Sequence, residues 1–553
     1  PAVALFVDRA RAASPDFSAA GQEQAMAALV RLLGGMPLAI ELAASRMRGL
    51  SPRALLALLT ERGAPMLDLL SREGGGADMA QRHASMRHVV DWSWRQLGPA
   101  QAELMQALAA FAAPAGADTV AAVAGLAPGT ARERLEQLRD HSLAVGHRLP
   151  DGGHRYVLLQ PVREFVAERT DGPRAAALRE RLRLWLIDFG DRCTARAHAA
   201  IDEVETEMPL VQAAVLDAVH DGPEAQRQAV RIAVALRRHW EIDTRAGLPM
   251  AMVQALDACL AAVDDDGLRS QACALQAYSK ILAGMTAEAM AQADEAVQRA
   301  TDARQRAQGL LRRVHVAMFS KGDQSQVDAQ LAEAVSLAEQ VGDRETQALA
   351  LRLHYLVLGN RDRDRQGAEV LALQTQQLWE SLGHRRNAYG ALMDRASCWL
   401  DLGRLDEAAV ALAACERVAG QERFATGTIM SSWMLGRALL RLRQPDAALA
   451  AFRRCLDGAW THKRLAYVAD ALVQVPGGLA FTGQVDDAAR LLGFATAHWQ
   501  RQFGPFYHGL ELDVRPTRRW LRQRLGAVRY ETLRLEGACL SLADAVTLGL
   551  GRT

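Results

Sequence analysis

Apolar side chains recur at helical spacing along most of the chain. The segment at 21–33 shows the pattern, with apolar residues that fall on one face of a helix: Met26, Leu29, Val30 and Leu33. Because an α-helix turns once every 3.6 residues, this spacing gathers the side chains into one buried stripe. Two short stretches, Leu143–Arg148 and Arg155–Leu159, have the character of strands instead. The pattern predicts a mainly α-helical chain with one small β-hairpin.

A longer period appears in the second half of the chain. The stretch Leu400–Ala408 recurs at 440–448 and 480–488, so equivalent positions lie 40 residues apart. A central glycine would end one helix in a left-handed conformation, and the acidic residue three places later favours the start of the next helix. Weaker copies centre on Gly284, Gly322 and Gly359. We predict helix–turn–helix units, similar to tetratricopeptide repeats, that stack from about 268 to 500, because no unit can bury its apolar face alone.

The first helix of each unit is expected to line the concave face of such an array. Polar residues on these helices are therefore candidates for contact with a ligand or partner: Asn387, Asp394, Arg395 and Arg437. Tryptophans also recur along the array and could line a groove, but packing between helices is the favoured interpretation, because large aromatics dominate such cores. These tryptophans are Trp379, Trp399, Trp433, Trp460 and Trp499.

The hairpin is preceded by three short helices, predicted at about 99–111, 117–124 and 130–140, and its turn signal is Pro150-Asp151-Gly152-Gly153. Three helices followed by a hairpin make a winged helix, a fold that often binds DNA. Three arginines and three acidic residues alternate along the third helix: Arg132, Arg134, Arg139, Glu133, Glu136 and Asp140. Phosphate contacts supply most DNA affinity, and this balance offers little attraction for them. We therefore favour an intramolecular packing module over a DNA contact.

Composition narrows the class of protein further. The 553 residues carry 65 basic and 64 acidic side chains, a net charge of +1, which gives no general attraction to nucleic acid or to an anionic membrane. The seven cysteines are scattered without a C-x-x-C pair, as expected for reduced thiols in the cytoplasm. No apolar run approaches 18 residues, so we expect no membrane span.

Catalytic signatures are missing from the sequence. It contains no Gly-Lys pair of a phosphate-binding loop, no H-E-x-x-H and no G-x-S-x-G, so we predict no catalytic residue in this chain. His147 and His154 could face each other across the hairpin, but two ligands rarely hold a metal, and a solvated turn is favoured. No metal site is predicted.

Three motifs resemble a known family. They are the helix–turn–helix joint Gly34–Ala44 with its Gly-Met-Pro-Leu core, the stretch Arg82–Ser93, and the segment Arg155–Phe165. The first resembles the Gly-Leu-Pro-Leu segment of NB-ARC modules, with Met36 in place of leucine. The second is similar to the R-x-x-x-L-R-x-x-x-D-W-S signature of bacterial ATPases of the STAND class. The third resembles the winged-helix subdomain of that class.

The resemblance implies a nucleotide switch that uses ATP and ADP. It places Pro37, with its neighbours Met36 and Leu38, against the base of the nucleotide. Many members end the winged helix with Met-His-Asp, whose histidine touches the ADP β-phosphate; here Leu158, Leu159 and Gln160 stand at those positions. In the family the ATPase core precedes the segment that opens this chain. We therefore expect a fragment that lacks the phosphate-binding core and a DNA-binding output domain.

These features predict five regions. They are a helical ATPase subdomain at 1–60, a winged helix at 77–172, a helical bridge at 173–265, a tetratricopeptide-like array at 266–500 and a helical cap at 501–553. The resemblance implies a transcriptional regulator whose array senses a small-molecule or protein effector, and which can self-associate. Two alternatives stay open: the regulatory tail of a class III nucleotide cyclase or protein kinase, and a plain protein-interaction scaffold.

Overall fold

The computed structural model confirms a mainly α-helical chain that carries a winged helix and a stack of repeated helix pairs. It describes residues 2–14, 17–19, 21–33, 40, 43–44, 47, 50–60, 90–91, 94–95, 97–140, 143–148, 153–196, 200–243, 247–319, 326–361, 364–422, 424–462, 464–503, 506 and 508–552. Two compact units divide the chain: the first comprises 1–236 and 250–264, the second 237–249 and 265–553. Within the described part, no helix has both the length and the apolar character to cross a lipid bilayer.

The first unit is built from helices and one small sheet. Its elements are α1 Ala2–Ala13, α2 Glu23–Leu32, α3 Pro52–Thr60, α4 Pro99–Ala109, β1 Ala115–Gly116, α5 Ala117–Ala124, α6 Pro128–Asp140, β2 Ala144–Arg148, β3 His154–Leu158, α7 Gln160–Glu168, α8 Gly172–Arg196, α9 Ile201–Ala218, α10 Pro223–Ala235, α11 Met250–Cys259 and a 3₁₀ turn at Leu260–Ala262. Ser51 caps the start of helix α3, because its hydroxyl accepts a hydrogen bond of 3.1 Å from the Ala54 amide.

The winged helix has one strand more than predicted. The two-residue strand β1 pairs antiparallel with β3, which gives a three-stranded sheet in the order β1-β3-β2. Phe111, Leu135 and Phe165 are fully buried between the helices and this sheet. A two-residue strand is too short to show an alternating pattern, so β1 could not be predicted from the sequence.

The second unit consists of helix pairs followed by three closing helices. The first element of this unit is a π-helical turn at His239–Asp243. The helices are α12 Asp266–Leu282, α13 Thr286–Gln298, α14 Ala303–Phe319, α15 Val327–Gln340, α16 Arg344–Leu356, α17 Arg365–Ser381, α18 Arg385–Asp401, α19 Leu405–Gln421, α20 Ala425–Arg441, α21 Pro445–Thr461, α22 Leu465–Phe481, α23 Val485–Phe503, α24 His508–Leu525, α25 Ala527–Ala538 and α26 Leu542–Leu550. A second π-helical turn, Val357–Arg361, extends α16.

The repeat logic is confirmed in the three copies that are 40 residues apart. Gly403 and Gly483 have φ angles of +79° and +90°, and the alanine five places after each, Ala408 or Ala488, is fully buried where the two helices meet. The middle copy also turns left-handed, although its central residue is Arg443, with a φ of +59°. The left-handed backbone conformation of the turn is therefore present even where the central residue is not a glycine.

The weaker copies follow the pattern unevenly. Gly284 is left-handed, with a φ of +80°. Gly359 does not close its helix in this way, contrary to expectation, because α16 continues there into the π-helical turn. Its lack of a side chain serves close packing instead: a Cβ would lie 2.8 Å from a guanidinium nitrogen of Arg365 and 3.5 Å from the Cβ of Ala368. Gly322 lies outside the described residues.

Tryptophan side chains mainly fill the interior of the second unit. Trp379 is completely buried, and Trp399 and Trp499 are less than 10% exposed. Trp460 is the exception, with 37% of its surface exposed. Packing between helices therefore accounts for these aromatics better than a ligand groove does.

Candidate functional site

Charged and aromatic side chains form a row along the first helices of four successive units. We call this row the inner polar band; it consists of Tyr278 on α12, Arg312 and His315 on α14, Arg352 and Tyr355 on α16, and Asp394 on α18. The Arg312 guanidinium lies 4.5 Å from the centre of the Tyr278 ring, and that ring lies 5.7 Å from His315. Arg352 Nε donates to Asp394 Oδ2 at 2.9 Å. Side chains of the band thus link α12 to α14 and α16 to α18.

Electrostatics in the inner polar band follow from its burial. Burial, with the nearby charges of Arg312 and Arg352, lowers the pKa of His315 to about 3, so this ring is neutral at physiological pH. Burial and the Asp394 carboxylate raise the pKa of Tyr355 well above its ordinary value. A buried row with one neutral imidazole, phenol hydroxyls and paired ions can offer hydrogen bonds to a ligand without a large net charge.

The four predicted groove residues do not form one site. Asn387 is 3% exposed near the start of α18, and Asp394 belongs to the inner polar band. Arg395 turns away from that band, since it donates to Gln376 Oε1 at 3.1 Å on the neighbouring helix α17. Arg437 binds Asp513 of α24 at 2.8 Å. Whether any of these four residues contacts a ligand stays a prediction.

Sequence reasoning missed most of the inner polar band. The 40-residue step aligns the copies around positions 403, 443 and 483, but the weaker copies at Gly284, Gly322 and Gly359 are separated by 38 and 37 residues, and the next step is 44. These unequal lengths prevent the register of α18 from being carried back to α14 and α16. An available signal was the presence of Arg, His and Tyr residues in the apolar second halves of α14 and α16.

In the winged helix, the arginines of α6 are engaged within the first unit. Arg132 lies 3.8 Å from Asp118, Arg139 lies 2.5 Å from Glu136, and Arg134 donates to the Ala100 carbonyl at 3.5 Å. Over residues 97–171 the sequence has seven arginines and nine acidic residues, a net charge of −2. Acidic side chains and a carbonyl oxygen thus lie beside the arginines of this helix, which weakens its attraction for a phosphate backbone.

Strand β3 fastens the winged helix to helix α9 through a buried ion pair. Arg155 Nη1 and Nη2 donate to the two oxygens of Glu207 at 2.8 and 2.7 Å, and both side chains are about nine-tenths buried. Arg155 Nε also donates to the Pro114 carbonyl at 2.9 Å. A cavity of about 480 Å³ lies beside this pair, and Trp185, Phe189 and Tyr156 are among the residues that line it. Strand β3 of the wing is therefore held in a contact within the first unit.

The two histidines of the hairpin do not face each other. His147 pairs in register with Arg155, and His154 pairs with Arg148. Because neighbouring residues of a strand point to opposite faces of a sheet, this offset places the histidines on opposite faces, and the facing pair considered from the sequence is wrong. Among the described residues, no three potential metal ligands come together. Pro37, Met36 and Leu38 lie outside the described residues, as do most of Arg82–Ser93.

Comparison with protein families identifies one segment directly. Residues 97–171 match the family described as "Winged helix-turn-helix domain". The fold of this segment is a winged helix. Its bounds enclose α4 to α7 and all three strands, in agreement with the winged helix predicted from the sequence.

Relatives of the chain include putative transcriptional regulators. Over 172 residues, which are 30% of this chain and 19% of the relative, it is 36% identical to a putative HTH-type transcriptional regulator of Mycobacterium tuberculosis. An uncharacterized protein of the same bacterium is 32% identical over 173 residues, 30% of this chain and 42% of the relative. The chain thus spans about a fifth of the length of the regulator. The winged helix-turn-helix match and these relatives bear out the resemblance to a bacterial regulator inferred from the motifs.

Two solved structures are similar to the chain at low identity. One is a STAND protein with a tetratricopeptide repeat sensor from Pyrococcus horikoshii, with 14% identity and a TM-score of 0.49 over 96% of this chain and 74% of the other. The second is a Rap protein complexed with competence and sporulation factor, with 13% identity and a TM-score of 0.46 over 67% of this chain and 99% of the other.

Proposed function

We propose that this chain is the sensor and regulatory part of a STAND-type, ATP-dependent transcriptional regulator in the cytoplasm. The observation that carries the proposal is the order of modules in one chain: a winged helix-turn-helix domain at 97–171 precedes a stack of tetratricopeptide-like helix pairs. In this proposal the array binds a small-molecule or protein effector. Effector binding controls a nucleotide switch and a DNA-binding output domain that precede this chain.

The proposed control is a shift between two populations. An ADP-held closed state exchanges with an ATP-bound state that can self-associate, and the effector favours the second only as far as it binds that state more tightly. Pro37, with Met36 and Leu38 beside it, is assigned to the nucleotide base. Binding of ADP and ATP by the full-length protein tests this assignment, and full-length protein that binds neither nucleotide contradicts it.

For the winged helix-turn-helix domain we propose an intramolecular role. The engaged arginines of α6 and the net charge of −2 over 97–171 support this role. Contact with DNA is the second candidate, because the winged helix-turn-helix is a fold that often binds DNA.

Fluorescence anisotropy of this chain with a labelled duplex at low salt separates the two roles. An internal module predicts no binding that weakens with salt. Binding that falls steeply as salt rises, and that is reduced by Arg132→Ala and Arg148→Ala together, supports DNA contact instead, because each phosphate contact releases counterions.

A further inference from the structure

The segment 237–249 connects two helices of the first unit but packs with the second. The chain leaves the first unit after Leu236 and rejoins it at Met250. Within the segment, Arg238, His239, Trp240 and Glu241 are each no more than 7% exposed. Charged residues are rarely buried so completely without partners. The helices of the array provide these partners.

Arg238 inserts between two first helices of the array. Its guanidinium contacts the carboxylate of Glu345 on α16 and lies 2.8 Å from the ring nitrogen Nδ1 of His384, next to the start of α18. His384 Nε2 also lies 3.3 Å from Glu345. Burial alone would raise the pKa of Glu345, but hydrogen bonds from His384 and Arg238 and the charge of Arg238 hold it at about 2. Glu345 is therefore ionised and able to bind a guanidinium.

Glu241 of the same segment contacts α14, the first helix of the preceding unit. Its Oε2 lies 3.1 Å from Arg312 Nη2, and Arg312 belongs to the inner polar band. Both side chains are less than a tenth exposed. Arg237 donates to Gln308, which is also on α14. The array thus binds the arginine of the segment through an acidic residue and the glutamate of the segment through a basic one.

The returning end of the segment is fitted to the first helix of the array. The Leu248 amide donates to Ser279 Oγ of α12 at 2.9 Å. Gly247 has a φ of +65°, and a Cβ there would lie 3.2 Å from the Cα of Ser279. The segment therefore contacts the first helices of four successive units, α12, α14, α16 and α18, along the surface that carries the inner polar band.

We propose that the segment 237–249 is an internal ligand of the array, and that the surface beneath it accepts a peptide segment with an arginine and, three residues later, a glutamate. An activating partner carries a segment of this chemistry and displaces the internal one. The proposal rests on the sensor role of the array given above. Both ends of the internal ligand continue into helices of the first unit, so its release alters the connection between the sensor and the rest of the chain.

A labelled peptide with the sequence of residues 236–249 tests the proposal on the whole 553-residue chain. In the wild-type chain the internal segment occupies the surface, so we expect weak binding by fluorescence anisotropy. The double variant Arg238→Ala with Glu241→Ala releases the internal segment but leaves the array intact, and we expect it to bind the peptide at least tenfold more tightly. Arg231→Ala, at an exposed position on α10, is the matched control and binds like the wild type.

A peptide that carries the same two alanines provides the specificity control and binds no variant. The proposal is overturned if the released variant binds the wild-type peptide no better than the wild-type chain does. It is equally overturned if the two peptides bind the released variant equally.

A charge exchange keeps the test decisive if the double variant does not fold. The chain with Arg312→Glu should bind a peptide with Glu241→Arg at least tenfold more tightly than the wild-type peptide. Equal binding of these two peptides contradicts the proposal. Nucleotide binding by the full-length protein is independent of this result, so failure of the nucleotide switch and failure of the internal ligand are distinguished.

Discussion

Arg155 and Glu207 form a two-pronged ion pair that joins strand β3 of the winged helix to helix α9, with N–O distances of 2.8 and 2.7 Å. The two side chains are about nine-tenths buried, and the Pro114 carbonyl accepts two further hydrogen bonds from the same guanidinium. A charge removed from water in this way needs its partner, because neither ion can be solvated once the other is lost. The pair therefore fixes the wing to a helix of the first unit.

Removal of one partner should destabilise the first unit strongly. Glu207→Gln leaves the Arg155 charge buried without a counter-charge, and we expect a loss of about 3–5 kcal/mol in the free energy of unfolding. Urea denaturation followed by tryptophan fluorescence measures this loss. The matched control is Glu180→Gln, at an exposed position on α8, with an effect below about 0.5 kcal/mol.

Replacement of both partners should cost less than replacement of one. In the double variant Arg155→Leu with Glu207→Leu no charge remains buried, so it should unfold at a higher urea concentration than Glu207→Gln. A double variant less stable than the single one would show that the pair does not act through buried charge.

The left-handed turn at Arg443 predicts a stabilising substitution. An L-residue with a side chain is strained at the φ of +59° found there, whereas glycine is not. Arg443→Gly should therefore stabilise the array by about 1 kcal/mol, as measured by thermal unfolding in circular dichroism. Gly403→Ala, at the equivalent position with a φ of +79°, should destabilise it by a similar amount. Changes of the same sign in both variants would contradict the equivalence of the two turns.

Asp470 on α22 predicts a dependence of stability on pH. Burial raises the pKa of its carboxyl from 3.8 to about 7, and the charge of Arg437 opposes this only in part. The raised pKa means that its contribution to stability is complete below about pH 3.8 and is lost as pH rises through 7. Asp470→Asn should consequently raise the melting temperature at pH 8 by a few degrees and leave it unchanged near pH 4.

Asp446→Asn, at an exposed position on α21, is the control for this effect. It should produce no gain that depends on pH. A gain from Asp470→Asn that is the same at pH 4 and pH 8 would show that charge at this site is not its cause.

Two glycines allow the closing helices to contact the array closely. A Cβ on Gly493 of α23 would overlap the carbonyl oxygen of Arg534, and a Cβ on Gly537 of α25 would overlap that of Arg490. Gly537→Ala should therefore cost about 1–3 kcal/mol or more in the stability of the second unit, measured by urea denaturation. Gly420→Ala, in the open on helix α19 with no atom within 4 Å of the added methyl group, should be neutral or stabilising. Equal effects of the two substitutions would refute the close contact.

Local patterns predicted local structure well. The left-handed turns at Gly403 and Gly483 follow from rules that involve neighbouring residues. The three helices and the hairpin of the winged helix also follow from short-range spacing, whereas strand β1 exists only through its pairing with β3.

The candidate site could be predicted only in part, because it depends on contacts between distant residues. The ion pair of Arg352 and Asp394 spans two repeat units of unequal length. Arg238 and Glu345 are 107 positions apart, and nothing in the sequence around Arg238 distinguishes it from the other arginines of a helical segment. Such long-range pairs require a three-dimensional structure, whereas helix periodicity does not.

The nucleotide affinity of the full-length protein tests the central claim most directly. Isothermal titration with ADP and ATP should show binding, and Pro37→Ala should weaken it, because the proline is assigned to the nucleotide base. Pro128→Ala, at the exposed start of α6, should leave the affinity unchanged. Full-length protein that binds neither nucleotide, or whose affinity is the same with and without Pro37→Ala, would contradict the proposed switch.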